Sequence, residues 1–274
     1  MQREQAPIGI FDSGVGGLSV WREIVSQLPA EDTLYFADQA HIPYGPRQKE
    51  EIRAFAFGIT EFLLKHDVKT IVVACNTASG AALQALREAY PEIPFVGMEP
   101  AVKPASERTQ QGAIGVLATP TTFEGPLFRR LVDRFGNRVE IHTQVCPGLV
   151  EAVEAGALAT PATRSLLETC LSPLIRAGVD QLVLGCTHYP FVQDELERIL
   201  GPGIAVIDPA PAVARQVGRV LTEHGIIAQR GPPGTHRIVT TGMPDTIANA
   251  ARRLVRYSGS VQHADWQGPR LRIA

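Results

Sequence analysis

Two cysteines follow apolar segments of the same kind, at positions 111 residues apart. Cys75 comes directly after Thr70–Ala74, and Cys186 comes directly after Gln181–Gly185. Each apolar run predicts a β-strand, and the polar residues after each cysteine predict the start of a helix. Because the positive end of a helix favours a thiolate, both positions predict reactive thiols with a lowered pKa. The alternative is that both are small buried residues.

His188 stands two residues after Cys186 and is the next candidate for chemistry. An imidazole at this spacing can move protons to and from a thiol. A packed polar histidine is the alternative. A zinc site that begins with Cys186 and His188 would need a second pair of ligands, and no such pair is recognisable.

Asp12 opens a glycine-rich segment, Asp12–Gly17, that follows the first apolar run of the chain. The segment lacks the Lys-Ser/Thr of a P-loop and the register of a dinucleotide-binding loop. A carboxylate here would repel phosphate, but it can hold an ammonium group or assist a neighbouring base. The alternative is that Asp12 is a simple helix N-cap.

The other two cysteines have no comparable setting. Cys146 precedes Pro147 near the end of a candidate strand, and Cys170 lies inside the helical segment 162–177. With no CxxC pair and an expected reducing compartment, the four cysteines are expected not to form disulfides. Cys146 and Cys170 are therefore expected to be structural residues.

The elements that must position these residues alternate between strands and helices. In Arg47–Asp67, apolar residues recur at helical spacing at Ile52, Ala56, Ile59 and Leu63. Such alternation predicts parallel sheets covered by helices, with ligands at the carboxyl ends of the strands. The predicted strands are Ile8–Phe11, Thr33–Ala37, Thr70–Ala74, Phe95–Met98, Ala113–Ala118, Gln181–Gly185, Ala205–Ile207 and Arg237–Thr240.

The repeated strand–Cys–helix unit predicts two pseudo-symmetric α/β domains with the active site in the cleft between them. We expect residues 1–98 plus 211–274 to form the domain with Cys75, and residues 99–210 to form the domain with Cys186. A separation of 111 residues is about the size of one compact domain.

Composition excludes several classes of protein. Hydrophobic residues make up 45% of the 274 residues and charged residues 20%, as in soluble globular proteins. A formal net charge of −2 offers no basic surface for nucleic acid or an anionic membrane. No run approaches the roughly 18 apolar residues of a membrane span. The polar segment Met1–Pro7 lacks the features of a signal peptide, so a cytoplasmic location is expected.

Five motifs cover nearly the whole chain: Phe11–Leu18; Asp38 through Pro43, Tyr44 and Gly45; Ala74–Ala78; Cys146 and Pro147 with Val153, Glu154 and Gly156; and Leu184–Pro190. In this order they resemble the motifs of glutamate racemases, within the aspartate/glutamate racemase superfamily. The match is to the glutamate branch, because the wider superfamily shares the two cysteines but not the Asp-Ser-Gly-x-Gly-Gly opening.

The resemblance implies an amino-acid racemase that uses no cofactor and no metal and supplies D-glutamate for peptidoglycan. Cys75 and Cys186 would exchange protons on opposite faces of the substrate α-carbon. Asp12 would assist the first cysteine and His188 the second, with Glu154 near that histidine; the spacing to Gly156 favours Glu154 over Glu151. The substrate-binding positions implied are Asp12, Ser13, Tyr44, Gly45, Asn76, Thr77, Thr187 and His188.

Other functions remain open from the residues alone. One alternative is a racemase of the same superfamily whose substrate is aspartate or another amino acid. A non-catalytic two-domain solute-binding protein would have a similar cleft but would not need paired cysteines. A cysteine hydrolase with Cys186 and His188 would leave Cys75 without a role. The sequence does not set the oligomeric state, for which a homodimer is one option.

Overall fold

The computed structural model describes residues 3–229 and 231–273 and contains two sheets. Residues 1 and 2 of the polar segment Met1–Pro7 lie outside the described residues. The strands are β1 (Ile8–Asp12), β2 (Thr33–Ala37), β3 (Thr70–Val73), β4 (Phe95–Gly97), β5 (Ala113–Ala118), β6 (Glu140–Gln144), β7 (Gln181–Gly185), β8 (Ala205–Ile207), β9 (His236–Thr240), β10 (Val261–Gln267) and β11 (Arg270–Ile273).

Helices separate most of these strands. They are α1 (Leu18–Gln27), α2 (Lys49–Leu64), α3 (Asn76–Ala89), α4 (Val102–Arg108), α5 (Pro120–Glu124), α6 (Pro126–Phe135), α7 (Leu149–Glu154), α8 (Pro161–Arg176), α9 (Gln193–Leu200), α10 (Ala210–Glu223) and α11 (Pro244–Val255). In the described part of the chain, no helix is both long and apolar enough to span a membrane.

The two sheets share one strand order. The larger sheet runs β11-β10-β9-β2-β1-β3-β4 and the smaller runs β6-β5-β7-β8. The order β2-β1-β3-β4 therefore repeats as β6-β5-β7-β8, and every pair within these two sets is parallel. The predicted α/β fold with two related halves is confirmed. We call the seven-stranded sheet with its helices the first lobe and the four-stranded sheet with its helices the second lobe.

Burial explains why the central strands read as continuous apolar runs. Every residue of β1, β2 and β3 is buried, as expected for parallel strands covered on both faces. The stripe predicted for α2 is buried as well, because Ile52, Ala56, Ile59 and Leu63 have no exposed surface. Strands β1 and β3 are hydrogen-bonded neighbours in this buried part of the first lobe.

Sheet membership also bears on the domain boundaries. Strands β1–β4 and β9–β11 belong to the first lobe, whereas β5–β8 belong to the second. Helix α10 packs along α1 of the first lobe. This arrangement supports the division at 98/99 and 210/211, which we keep as a proposal.

Cys146 and Cys170 are joined by a disulfide bond, with a Cα–Cα distance of 5.5 Å. The expectation that the cysteines form no disulfide is therefore wrong for this pair. The bond ties the segment after β6 to helix α8, and both residues are buried. The sequence could not show this contact, because it depends on α8 packing beside β6. Cys75 and Cys186 are free thiols.

Candidate active site

Cys75 and Cys186 line the same cavity, which lies between the two lobes and has a volume of about 200 Å³. A cavity of about 150 Å³ holds a benzene molecule, so this one suits a ligand of amino-acid size. The first thiol follows β3 and the second follows β7, which are equivalent strands of the two sheets. The strand repeat thus brings the two sulfurs to one site from opposite lobes.

Most of the substrate-binding residues implied by the resemblance line this cavity: Ser13, Tyr44, Gly45, Asn76, Thr77, Thr187 and His188. Asp12 lies behind the cavity wall and has no exposed surface. The cavity wall also contains Thr119, Cys146 and Glu151, which the sequence did not single out as ligand-binding residues.

Cys75 occupies the N-cap position of α3, and its Sγ accepts a hydrogen bond from the Ala78 N–H at 3.4 Å. Burial nevertheless raises the pKa of the Cys75 thiol well above its ordinary value, and the negative charge of Asp12 adds to the rise. The prediction that the helix N-terminus lowers this pKa is therefore wrong for Cys75. Desolvation and a neighbouring carboxylate outweigh one N–H donor, so Cys75 is a thiol in the free protein.

Cys186 has a different partner. Its Sγ lies 3.7 Å from Nδ1 of His188, whose Nε2 is hydrogen-bonded to Glu154 Oε1 at 2.7 Å. Burial alone would lower the pKa of His188, but its hydrogen bonds to Cys186 and Glu154 raise the pKa well above the ordinary value. The two thiols therefore have unequal surroundings.

Glu154 is the carboxylate that reaches His188, whereas Glu151 lines the cavity. Oε1 of Glu154 also accepts the Val15 N–H at 2.7 Å, and Oε2 accepts the Gln39 amide at 3.1 Å. Burial alone would raise the pKa of Glu154, but the hydrogen bond and charge of His188, with the two other donors, lower it. Glu154 is thus ionised beside His188.

Asp12 ends β1 and closes the turn after it. Its Oδ2 accepts the N–H groups of Gly14 and Gly17 at 3.2 and 2.9 Å, and Oδ1 accepts the Thr187 hydroxyl at 3.5 Å. Burial raises the pKa of Asp12. The N-cap of α1 is Gly17, so Asp12 is not the simple helix cap that was the alternative interpretation.

Two glycines of the loop after β1 are needed because the second lobe presses against them. A Cβ at Gly14 would collide with the carboxylate of Glu154, and a Cβ at Gly16 would collide with the His188 ring. The glycine-rich motif is thus the surface of the first lobe against which the residues around Cys186 pack.

Asn76 follows Cys75 and is 4% exposed at the cavity wall. Within residues 3–229 and 231–273, neither its Oδ1 nor its Nδ2 has a hydrogen-bond partner. A buried polar group without a partner is costly, so this amide is available to bind a polar group that enters the cavity.

Tyr44 and Thr119 complete the wall on the side of the first cysteine. The Tyr44 hydroxyl donates to Asp38 Oδ2 at 2.7 Å, so that group is already engaged. Thr119 Oγ1 lies 3.0 Å from Thr77 Oγ1 and 2.9 Å from Thr122 Oγ1. Thr119 directly follows β5, and the strand-end rule applied to that strand would have found it.

The described residues include no group of three or more His, Cys, Asp and Glu side chains arranged to hold a metal ion.

Residues 8–217 match the profile of the Asp/Glu/Hydantoin racemase family. The chain belongs to this family. Within it, the chain is 51% identical to a glutamate racemase of Pseudomonas aeruginosa over 247 residues, which are 90% of this chain and 93% of that relative. The glutamate branch implied by the five motifs is therefore confirmed, and this racemase-family member is an isomerase.

Solved structures of family members agree with the fold. A glutamate racemase isoform of Bacillus anthracis superposes with a TM-score of 0.88 at 35% identity, over 97% of this chain and 99% of that one. Escherichia coli glutamate racemase, solved with L-glutamate and the activator UDP-MurNAc-ala, gives 0.84 at 32% identity, over 96% and 100%.

Proposed function

We propose that this racemase interconverts L- and D-glutamate, with Cys75 and Cys186 as the two bases and without a cofactor. The observation that carries the proposal is that two free thiols from equivalent strand ends line one cavity of amino-acid size. Racemisation needs a base on each face of the α-carbon, and the repeated strand–Cys–helix unit supplies one from each lobe. The glutamate racemases among the relatives support glutamate as the substrate.

The unequal surroundings of the two sulfurs support a division of labour. The Cys186 thiolate removes the α-proton of L-glutamate, while the Cys75 thiol donates its proton to the opposite face. For D-glutamate, Cys75 acts as the thiolate base and Cys186 as the thiol donor. Each turnover moves one proton from carbon to one sulfur and one proton from the other sulfur to carbon, so charge and protons balance.

The assisting residues act on these two protons. His188, ionised through Glu154, stabilises the Cys186 thiolate, and Asp12 keeps the proton on Cys75 in the free protein. We assign the substrate contacts to the amide of Asn76, the hydroxyls of Ser13, Thr77 and Thr187, the Tyr44–Gly45 segment, and His188. Asp12, behind the cavity wall, favours the substrate ammonium group through its negative charge. Aligned donors and exclusion of water stabilise the carbanion, because no cofactor delocalises it.

The test is racemisation in heavy water. With L-glutamate, EDTA and no added cofactor, purified protein should erase optical activity and incorporate deuterium at the α-carbon. A Cys75→Ala variant that racemises at the parent rate would overturn the assignment. Parallel assays with aspartate separate the alternative substrate, because a glutamate racemase exchanges glutamate much faster.

The cellular role follows from this activity. We propose that the product D-glutamate is used for peptidoglycan and that the enzyme works in the cytoplasm. Cell fractionation and D-glutamate dependence of a depleted strain test both points. A homodimer is the hypothesis for assembly, and light scattering of the purified protein measures it.

A further inference from the structure

Glu154 belongs to the second lobe, yet donors from the first lobe hold its carboxylate. Val15 N–H and the Gln39 amide both come from the first lobe, and His188 comes from the second. The carboxylate that acts on His188 therefore has its full set of these donors only when the lobes are in contact. Gln39 has no role in the mechanism above.

Gln39 is itself fixed by neighbours in the first lobe. It begins the 3-10 turn Gln39–His41 after β2, and its Oε1 accepts the Thr240 hydroxyl at 3.4 Å. A Cβ at Gly242 would lie 2.5 Å from the same oxygen, so the backbone after β9 packs closely on the amide. These contacts leave Nε2 directed at Glu154 Oε2, 3.1 Å away.

We propose that Gln39 is a positioning residue: its amide orients the Glu154 carboxylate toward His188 and so couples lobe contact to the protonation of the Cys186–His188 pair. This inference rests on the proposed function. The geometry supports it because Oε1 already serves Val15 and His188, whereas Gln39 is the donor to Oε2. A carboxyl group rotates over a broad range about its terminal bond, and a donor on the second oxygen restricts that rotation.

Several ionisable groups lie around this pair. The charges of His188 and Glu154 act on the pKa of Asp12 at the end of β1, the charge of Glu154 acts on the pKa of Tyr35 of β2, and Cys186 after β7 is hydrogen-bonded to His188. Gln39 is neutral, so its removal changes no net charge. Its donor lowers the pKa of Glu154, and loss of that donor therefore makes the carboxylate easier to protonate.

The test replaces Gln39 by methionine, which keeps the length and removes the amide. We expect kcat/KM to fall by about tenfold, the scale of one hydrogen bond to a charged group. The acidic limb of the kcat/KM profile should move to higher pH, because Glu154 protonates more readily. Ala40→Ser, at an exposed position of the same turn, is the matched control and should behave as the parent.

A second measurement does not depend on turnover. Nitrogen-15 NMR of the imidazole follows His188 titration in the substrate-free protein, and Gln39→Met should lower its pKa relative to the parent. An unchanged His188 titration and an unchanged acidic limb in folded Gln39→Met overturn the inference, whatever the substrate proves to be. If Gln39→Met does not fold, Gln39→Glu serves instead; it places a carboxylate against Glu154 and should shift the acidic limb further. An unshifted limb in that variant also overturns the inference.

Discussion

Asp12 Oδ1 accepts the hydroxyl of Thr187 at 3.5 Å, which joins the end of β1 in the first lobe to the turn after β7 in the second. The same carboxylate is the charge that adds to the raised pKa of Cys75. Asp12 thus contacts Thr187, which follows Cys186, while its charge raises the pKa of Cys75.

Replacing Asp12 by asparagine should move the basic limb of the kcat/KM profile to lower pH. Burial is the larger cause of the raised pKa of Cys75 and remains, but the negative charge is lost, so the thiol releases its proton more easily. The pH profile of racemisation measures the shift. A basic limb at the parent position would show that Asp12 does not act on Cys75.

Alanine at Cys75 or Cys186 should lower kcat/KM by about 10²–10⁴-fold, the usual contribution of a positioned acid or base. L- and D-glutamate have equal free energy in water, so each variant must lose the same factor of kcat/KM in both directions. Polarimetry from either enantiomer measures this. A Cys186→Ala variant that keeps the parent kcat/KM would contradict a two-base site.

Asn76→Leu should stabilise the empty protein and weaken binding. The buried amide has no partner among the described residues, and its replacement by an apolar side chain removes a cost of about 1 kcal/mol or more. Thermal unfolding without ligand should therefore show an unchanged or higher Tm, whereas KM rises about tenfold. Asn249→Leu, at an exposed position on α11, is the control for KM. A parent-like KM in Asn76→Leu would show that the amide does not bind substrate.

The disulfide should be visible as a thiol count. Protein that is unfolded without reduction should expose two titratable thiols, Cys75 and Cys186. After reduction, the unfolded protein should expose four. Cys170→Ala should lower the free energy of unfolding by about 3 kcal/mol, as expected for a loop of this length. Four thiols in protein purified without reductant would show that the bond does not form.

A stability test far from the cavity uses Lys69 and Glu31. Lys69 Nζ and Glu31 Oε2 form an ion pair at 2.5 Å, and both side chains are almost fully buried. Lys69→Met leaves the Glu31 carboxylate without its cation and should cost about 3–5 kcal/mol of unfolding free energy. Denaturant titration measures the loss, and the kcat of the folded fraction should stay at the parent value. A stability equal to the parent would mean that the pair is not buried in solution.

The sequence predicted the strands that are apolar runs and missed the largely polar strands at one end of the larger sheet. The runs Ile8–Phe11 and Gln181–Gly185 are continuous apolar segments because helices cover both faces of their strands. The hairpin of β10 and β11 was not predicted. It forms the end of the larger sheet, and Val261–Gln267 is largely polar because it is partly exposed to water.

For the candidate site, residue type and position at strand ends were enough to predict which cysteines line it. They did not predict how the surroundings change the pKa of the Cys75 thiol. The helix N-terminus suggested a lowered pKa for Cys75, whereas the structure buries this thiol beside Asp12. That outcome depends on a loop more than 60 positions away in the sequence. Gln39 and the Cys146–Cys170 bond were missed for the same reason, since only the packing of separate elements creates those contacts.

The different settings of the two sulfurs have a kinetic consequence under the proposed mechanism. Conversion of L- to D-glutamate leaves the proton on Cys186 and the negative charge on Cys75, which is the reverse of the starting arrangement. After product release, the protonation state of the two cysteines therefore still depends on which enantiomer reacted last, until exchange with solvent restores the starting state. If this return of protons is slower than the chemistry at carbon, it limits the net flux at high glutamate concentration. The environments of His188 and Asp12 set the rate at which the starting protonation state of the two cysteines is restored.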